Sequence, residues 1–270
     1  MASLSIMNRP GRKQHMQIHN PAFDYDGMNH DYSAVRKADP RIGEYVRKSL
    51  EGCHTVLNVG AGTGSYEPDD QYVIAVEPSS VMRAKRLALG RSPAVNAKAD
   101  DLPFDDNSFD AVMAVLTIHH WPDLKAGLLE LKRVSKKKIT ILTYDPDRLD
   151  VFWNVNYFPQ LIEIERSRYP KLSYIVECVG EEIKMTKIRI PLDCSDGFQE
   201  AFYGRPEAFL QEDVRNAQSA WGFLDKELGR EYLQKLSDDL ESGEWDRRYG
   251  HHRTMPEFEG AFCLLEIDLT

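Results

Sequence analysis

TVLNVGAGTGSYEPDDQYVIAVE, residues 55–77, runs from an apolar strand through a glycine-rich turn and a short crossover into a second apolar strand that ends in an acid. That order opens a doubly wound α/β sheet with a nucleotide site at its first turn. Gly60, Gly62 and Gly64 permit a tight turn and a close approach of backbone to ligand. Glu77 ends the second strand, where a carboxylate accepts hydrogen bonds from two ribose hydroxyls. The glycine spacing narrows the ligand. A dinucleotide site needs G-x-G-x-x-G, its third glycine letting a helix pack close to the strand. Here the third glycine comes one residue early, Ser65 takes the expected place, and Pro68 and two aspartates follow. A long helix cannot begin there, so the loop lacks the helix N-terminus that a pyrophosphate uses. The turn suits a ligand with ribose and adenine but no phosphate.

The flanking segments extend the same sheet. Residues 94–121, AVNAKADDLPFDDNSFDAVMAVLTIHHW, hold a short strand, an acidic corner at Asp100 and Asp101, and a turn rich in Asp and Asn. A near-continuous apolar run over 109–116 follows, broken only by Asp110, the pattern of a strand buried on both faces. Residues 123–135 read as a helix and 137–144, KKITILTY, as another strand.

With these blocks in view, the chain resembles the class I S-adenosylmethionine-dependent methyltransferases, of the bacterial small-molecule type related to the ubiquinone/menaquinone-biosynthesis enzymes. The resemblance rests on NVGAGTGSYEP, VIAVEPSSVM, ADDLPFDDNSFD and LTIHHWPD, which cover roughly residues 53–145, with a weaker match in YDGMNHDYSAVRKADPRI before them and in FQEAFYGRPEAFL after. It implies a seven-stranded, mostly parallel Rossmann-like sheet with an inserted helical lid, S-adenosylmethionine (SAM) as cofactor and S-adenosylhomocysteine (SAH) as product. It also implies roles, position by position. Gly60, Ala61 and Gly62 would line the methionine part, and Asn58 would accept from the cofactor ammonium. Glu77 would hold the ribose, with Pro78, Ser79 and Met82 bordering the adenine. Asp100 would accept from the adenine amino group while the Asp101 and Leu102 backbone meets the ring. Leu116 and Thr117 would lie near the sulfonium, Tyr32 would cap the cofactor, and Arg36 would pair with its carboxylate. Asn58 departs from the family, in which many members carry an acid, and it contributes no charge.

Composition bounds the partners. The formal net charge of −9 lacks the basic surface of a nucleic-acid binder, and the one dense basic run, 136–138, sits at the start of a strand. The cysteines at 53, 178, 194 and 263 form no C-x-x-C or zinc spacing, so no metal is expected. No apolar run reaches the ~18 residues of a membrane span. The expectation is a cytoplasmic enzyme with a small-molecule acceptor, without nucleic acid or membrane as partner. The oligomeric state stays open.

The expected organisation is an N-terminal tail with capping helices over 1–50, a cofactor-binding core over 51–149, a helical lid over 150–250 interrupted by a core strand near 185–192, and a final antiparallel strand over 251–270. The lid should set specificity, because ligands of this fold sit beyond the carboxyl ends of the strands. Trp153, Tyr157, Phe202 and Tyr203 are its candidate acceptor contacts, making an apolar, aromatic-lined pocket. Methyl transfer is an in-line displacement that needs mainly alignment and exclusion of water. A general base helps when the nucleophile carries a proton. His119 and His120, just after the fourth strand, are the candidates, with packing against Trp121 as the structural alternative. Two other readings remain open at this level. One is a SAM- or SAH-binding sensor or partner protein without transfer activity. The other is a nicotinamide-dependent oxidoreductase, against which the glycine spacing argues. The nucleophile, oxygen, nitrogen or carbon, is not encoded in any motif.

Overall fold

The computed structural model describes residues 35–269. Tyr32 and the rest of the chain before residue 35 lie outside the described residues.

Seven strands form one sheet. β1 (Thr55–Val59), β2 (Tyr72–Val76), β3 (Ala94–Val95), β4 (Phe109–Val115), β5 (Ser135–Tyr144), β6 (Ile183–Pro191) and β7 (Glu257–Asp268) lie in the order β3-β2-β1-β4-β5-β7-β6. β1 pairs in parallel with β2 and β4, and β4 with β5, whereas β7 runs antiparallel between β5 and β6. This is the mixed seven-stranded sheet that the resemblance implied. Alternate residues of the central strands enter different cores. Val56, Ala111, Met113 and Leu142 face one cluster, while Leu57, Val59, Val112, Ala114, Ile139 and Ile141 face the other. Both faces are therefore dry, which is why β1 and β4 read as near-continuous apolar runs.

The helices are α1 (Pro40–Ser49), α2 (Ser80–Ala88), α3 (Leu124–Val134), α4 (Pro159–Arg168), α5 (Leu172–Val179), α6 (Glu212–Asn216), α7 (Lys226–Glu241) and α8 (Glu244–Tyr249). Side-chain caps start several of them: Asp39 accepts from the Arg41 amide, Ser79 from Met82, Asp123 from Ala126 and Asp225 from Glu227 and Leu228. The β1–β2 crossover contains only turns, as Pro68 and its aspartates required. α2 starts after Glu77 instead, under the Ser79 cap.

The segment after β5 is less helical than its composition suggested. Residues 150–169 split into a 3₁₀ turn (Trp153–Asn156) and α4, and residues 197–245 begin with further 3₁₀ turns, Gln199–Phe202 and Pro206–Leu210, before α6. Pro159 and Pro206 each stand at the first position of their element, where a missing N–H breaks no hydrogen bond. Aromatic rings bind this segment to the sheet: Trp153 packs edge-on against Tyr157, Phe209 and Trp245, and Tyr203 stacks on Phe258 of β7.

Candidate active site

The carboxyl ends of β1, β2 and β4 converge on a cavity of about 510 Å³. Gly60 and Gly62 line it, both with positive φ (68° and 51°), as do Ala61, Thr63 and Ser65. A Cβ on Gly60 would fall 2.0 Å from the Thr117 hydroxyl, so the loop can lie against the end of β4 only with glycine there. The amides of Gly60 and Ala61 both donate to the Val76 carbonyl, which fixes the turn to the end of β2. Gly64, the early third glycine, has a different function. A Cβ there would meet Arg86 at 2.7 Å and Glu67 at 2.9 Å.

Those two side chains form a buried ion pair under the loop. Arg86 donates to both Glu67 oxygens, at 2.8 and 2.9 Å, with the two side chains 1% and 4% exposed. The Asn58 amide also donates to Glu67, at 2.9 Å. Asn58 is thus placed beneath the turn, outside the cavity lining, with its Nδ2 committed to Glu67 and its Oδ1 buried without a partner.

Glu77 is buried at the rim, and both its oxygens are held by backbone: one accepts from Gly62 and the other from Ser79, each at 2.8 Å. Pro78, Ser79 and Met82 continue that wall, and Asp100, Leu116 and Thr117 close the opposite side. The cavity does not include Asp101 or Leu102. Their amides are already committed, Asp101 to the Lys98 carbonyl and Leu102 to Glu130. Lys98, Trp121, Pro122 and Asp123 also line the cavity and were missed in the sequence. Trp121, Pro122 and Asp123 belong to the LTIHHWPD block, which was their signal in the sequence.

A second, smaller chamber of about 70 Å³ adjoins the first, sharing Arg36, Leu116 and His120 with it. Arg36 is fixed by Asp196 at 2.6 Å, and Tyr66 donates to the other Asp196 oxygen at 2.7 Å. Leu116 sits at φ 49° with its amide bonded to the Leu142 carbonyl. A non-glycine residue in the left-handed region stores strain of about 1–3 kcal/mol, and such residues cluster at functional sites.

His119 and His120 both reach the chamber. His119 is stacked between His120 and Tyr169, with ring centroids at 3.9 and 4.3 Å. Trp121, the expected packing partner, lies instead against Gly127. Burial first, and then the neighbouring charges, hold both imidazoles neutral; His120 is pushed down to about 3. Arg168 lies 3.4 Å from His120 Nδ1. A guanidinium only donates, so Nδ1 accepts and Nε2 carries the hydrogen. His120 presents a donor, and neither ring has the basicity expected of a proton acceptor at neutral pH.

Glu165 and Glu200 behave in the opposite sense. Burial pushes each carboxyl up to about 7, opposed at Glu165 by Arg168 and the Gln199 bond and at Glu200 by the Ala261 and Phe262 amides. Both line the chamber, together with Tyr144, Asn154, Gln199 and Gln218. The four aromatics expected to contact the acceptor are elsewhere. Trp153, Tyr157, Phe202 and Tyr203 are buried in the core that attaches the lid, and none lines either cavity. Their polar atoms are used internally: Trp153 donates to the Tyr203 carbonyl, Tyr157 to Asp239 and Tyr203 to the Met255 carbonyl.

Comparison with known proteins agrees with this geometry. Residues 57–142, from β1 to β5, match the family profile described as "Methyltransferase domain". Residues 57–142 are thus similar to a methyltransferase domain, on a sheet with the order of the class I methyltransferase fold. Among curated relatives, malonyl-[acyl-carrier protein] O-methyltransferase of Halorhodospira halophila is 29% identical over 47% of this chain and 48% of its own length. Demethylmenaquinone methyltransferase of Oceanobacillus iheyensis is 29% identical over 66% of this chain and 77% of its own. This chain thus spans about half of the first relative and three quarters of the second. Among solved structures, a protein assigned as a methyltransferase of an antibiotic biosynthesis pathway in Anabaena variabilis shares 29% identity. It superposes with a TM-score of 0.80 over 87% of this chain and all of that one. The [4+2]-cyclase SpnF, at 18% identity and a TM-score of 0.51, shares the fold alone. A methyltransferase domain displaces the nicotinamide reading.

Proposed function

We propose that this protein transfers a methyl group from SAM to a small organic molecule. The observation that carries the reading is Glu77: a buried carboxylate on the cavity wall, both oxygens fixed by the Gly62 and Ser79 amides. A carboxylate offers about four lone-pair sites, so Glu77 can anchor the two amides and still meet the ribose. The adjoining loop leaves room for a bulky ligand: a Cβ on Gly62 would meet only the end of Met82, at 3.9 Å.

SAM supplies a methyl group already activated on a sulfonium. The chain's part is to hold and to exclude. Gly60, Ala61 and Gly62 would hold the methionine portion, with Arg36 toward its carboxylate. Asp196 already occupies part of that guanidinium, so the Arg36 contact would be shared. Pro78, Ser79 and Met82 would flank the adenine and Asp100 would accept from its amino group. Leu116 and Thr117 would set the sulfonium beside the small chamber, where the acceptor enters. His119 and His120 would serve there as neutral, orienting groups. Tyr32 keeps its proposed capping role from the family resemblance alone.

The relatives named above act on different nucleophiles, by their names an acyl-carrier-bound malonyl group and a demethylmenaquinone, so they support a small acceptor without selecting one. Among the described residues no helix is long and apolar enough to cross a membrane, and no cluster of metal-binding side chains occurs. The acidic composition supports a small-molecule acceptor over nucleic acid.

Calorimetric titration with SAH, SAM and NAD tests the reading. Micromolar binding of SAH and SAM with none for NAD is the expected result. Absence of binding by both SAH and SAM would overturn it. A protein that binds SAH tightly but transfers no label from SAM to any metabolite would favour the non-catalytic sensor.

A further inference from the structure

The small chamber carries an unusual set of polar atoms. Among the described residues, Tyr144 Oη, Asn154 Oδ1 and Glu165 Oε2 are buried without a hydrogen-bond partner, and all three side chains line this one space. Buried polar groups are rarely left so, and each exception calls for a ligand, a water or a functional cause. The inner atoms of the same side chains are saturated among themselves. Asn154 Nδ2 donates to Gln199 Oε1 at 2.9 Å, and Gln199 Nε2 donates to Glu165 Oε1 at 2.9 Å. This belt fixes two long side chains and leaves one acceptor oxygen at each end, with the Tyr144 hydroxyl as a third polar atom.

Resting on the methyl-transfer reading, we propose that the chamber seats a compact hydroxyl- or amine-bearing acceptor, and that Glu165 takes the nucleophile's proton. The pairing of atoms selects this chemistry. Asn154 Oδ1 and Glu165 Oε2 require donors from the ligand, which an O–H or N–H supplies and a hydrocarbon does not. The size limits it: about 70 Å³ accommodates roughly five waters, a single ring or a short chain. On transfer, the acceptor's oxygen or nitrogen bonds to the methyl carbon and the carbon–sulfur bond breaks with its electron pair on sulfur. The proton leaves the heteroatom for Glu165 Oε2. The surroundings keep Glu165 suited to this exchange. Arg168 is 3.6 Å from Oε2, close enough to favour the carboxylate, while burial favours the acid. His119 and His120 face it as neutral rings, Glu200 is tied to the β7 backbone, and Arg36 is paired with Asp196. The result is a carboxyl near about 7, able to hold or release a proton at neutral pH. Leu149, Phe152, Ile162 and Tyr169 complete the walls, so the polar atoms act within apolar and aromatic surroundings.

The test uses three probes of one shape: phenol, aniline and toluene, titrated by ligand-observed NMR into protein saturated with SAH. Phenol and aniline are expected to bind about tenfold or more tightly than toluene, the value of a hydrogen bond to a charged group. Toluene binding as well as phenol overturns the proposal. Glu165→Gln sharpens it. Gln199 must donate to the oxygen at position 165, so the new amide nitrogen replaces Oε2 and turns an acceptor into a donor. The preference for phenol and aniline should fall at least about fivefold, while SAH affinity stays within about twofold because Glu165 does not line the cofactor cavity. An unchanged preference removes Glu165 from the role. A carbon-13 carboxyl titration of the wild-type protein gives a reading that does not depend on the variant's folding. Glu165 should titrate near neutrality and respond to phenol; an ordinary glutamate titration with no response overturns the assignment. Failure of SAH to bind the wild-type protein sinks the underlying reading and Glu165's role with it. Normal SAH binding with toluene preferred sinks only the chamber.

Discussion

The cofactor cavity is walled largely by turns and side chains delivered at the carboxyl ends of neighbouring strands. The chamber beyond Leu116 is walled by long side chains from five separate stretches of the chain. The first kind of site is written locally: glycines within one loop, an acid at one strand end, a cap three residues on. The second is written in the tertiary arrangement, because Asn154, Glu165 and Gln199 become one hydrogen-bonded belt only after the lid has packed. Loss of a support should therefore act differently in the two regions. The cavity should fail through its buried scaffold and the chamber through its ionisation.

The largest effect is expected beneath the glycine loop. Arg86→Ala leaves Glu67 buried without its partner, and breaking such a pair costs about 3–5 kcal/mol. Denaturant unfolding measures this directly. A loss below about 1 kcal/mol would mean that the turn does not depend on the pair. Joint replacement of both partners by methionine should recover much of the loss, since no charge is then left buried.

Next comes the ionisation of the chamber. Burial lets Glu200 hold its proton up to about 7, against an ordinary value of 4.5. Its stabilising proton uptake is thus fully present below about 4.5 and is lost as pH rises through about 7. Glu200→Gln removes that dependence. Relative to the variant, the wild-type protein should lose on the order of 1–3 kcal/mol between about pH 5 and about pH 8. The difference matters more than the absolute slope, because the buried histidines act oppositely: His120, held down to about 3, contributes stability that is lost as pH falls below the unfolded value of 6.5. A pH-independent difference between the two proteins would place Glu200 with ordinary carboxylates.

Much of the first region could be read directly. The seven-stranded, mostly parallel sheet, the antiparallel last strand and the helix-free first crossover all follow from residues 55–77, the near-continuous apolar run of β4 and the family resemblance. The third glycine's early position was legible, but its cause was not. Gly64 seats the loop on Glu67 and Arg86, which lie on separate elements and show no local pattern. The Asn58 amide nitrogen is likewise turned to Glu67, a partner identified only by the fold, which leaves its buried Oδ1 as the acceptor proposed for the cofactor ammonium. In the lid, aromatic composition was a poor guide. Trp153, Tyr157 and Tyr203 are large enough to supply most of the lid's own core, and each has its polar atom satisfied internally. The polar residues of the belt, Asn154, Glu165 and Gln199, are dispersed and individually unremarkable in sequence.

Glu77→Ala tests the locally written site itself. The carboxylate anchors two amides and is placed to receive two ribose hydroxyls, so SAH binding should weaken about tenfold or more while the fold persists. Unchanged calorimetric affinity would remove the ribose role and leave Glu77 as a loop anchor only. Asp196→Asn touches both regions, because Arg36 borders each. If Arg36 is shared with the cofactor carboxylate, loosening Asp196 should change SAH affinity and the phenol preference together.

The smallest effect belongs to Asp100, which lines the same cavity but is solvent-exposed at the acidic corner after β3. A single hydrogen bond from adenine to an exposed group contributes about 0.5–1.5 kcal/mol, so Asp100→Ala should weaken SAH binding only about two- to tenfold. The comparison with Glu77 carries the weight here. Glu77 is buried and both of its oxygens are fixed, whereas Asp100 must be ordered by the ligand and loses part of the gained energy to that ordering. If Asp100→Ala proved as damaging as Glu77→Ala, the adenine end rather than the ribose would be the anchor. Guanosine and inosine analogues of SAH would then discriminate the cause: loss of the 6-amino group should match the Asp100→Ala effect in the wild-type protein and add nothing further in the variant.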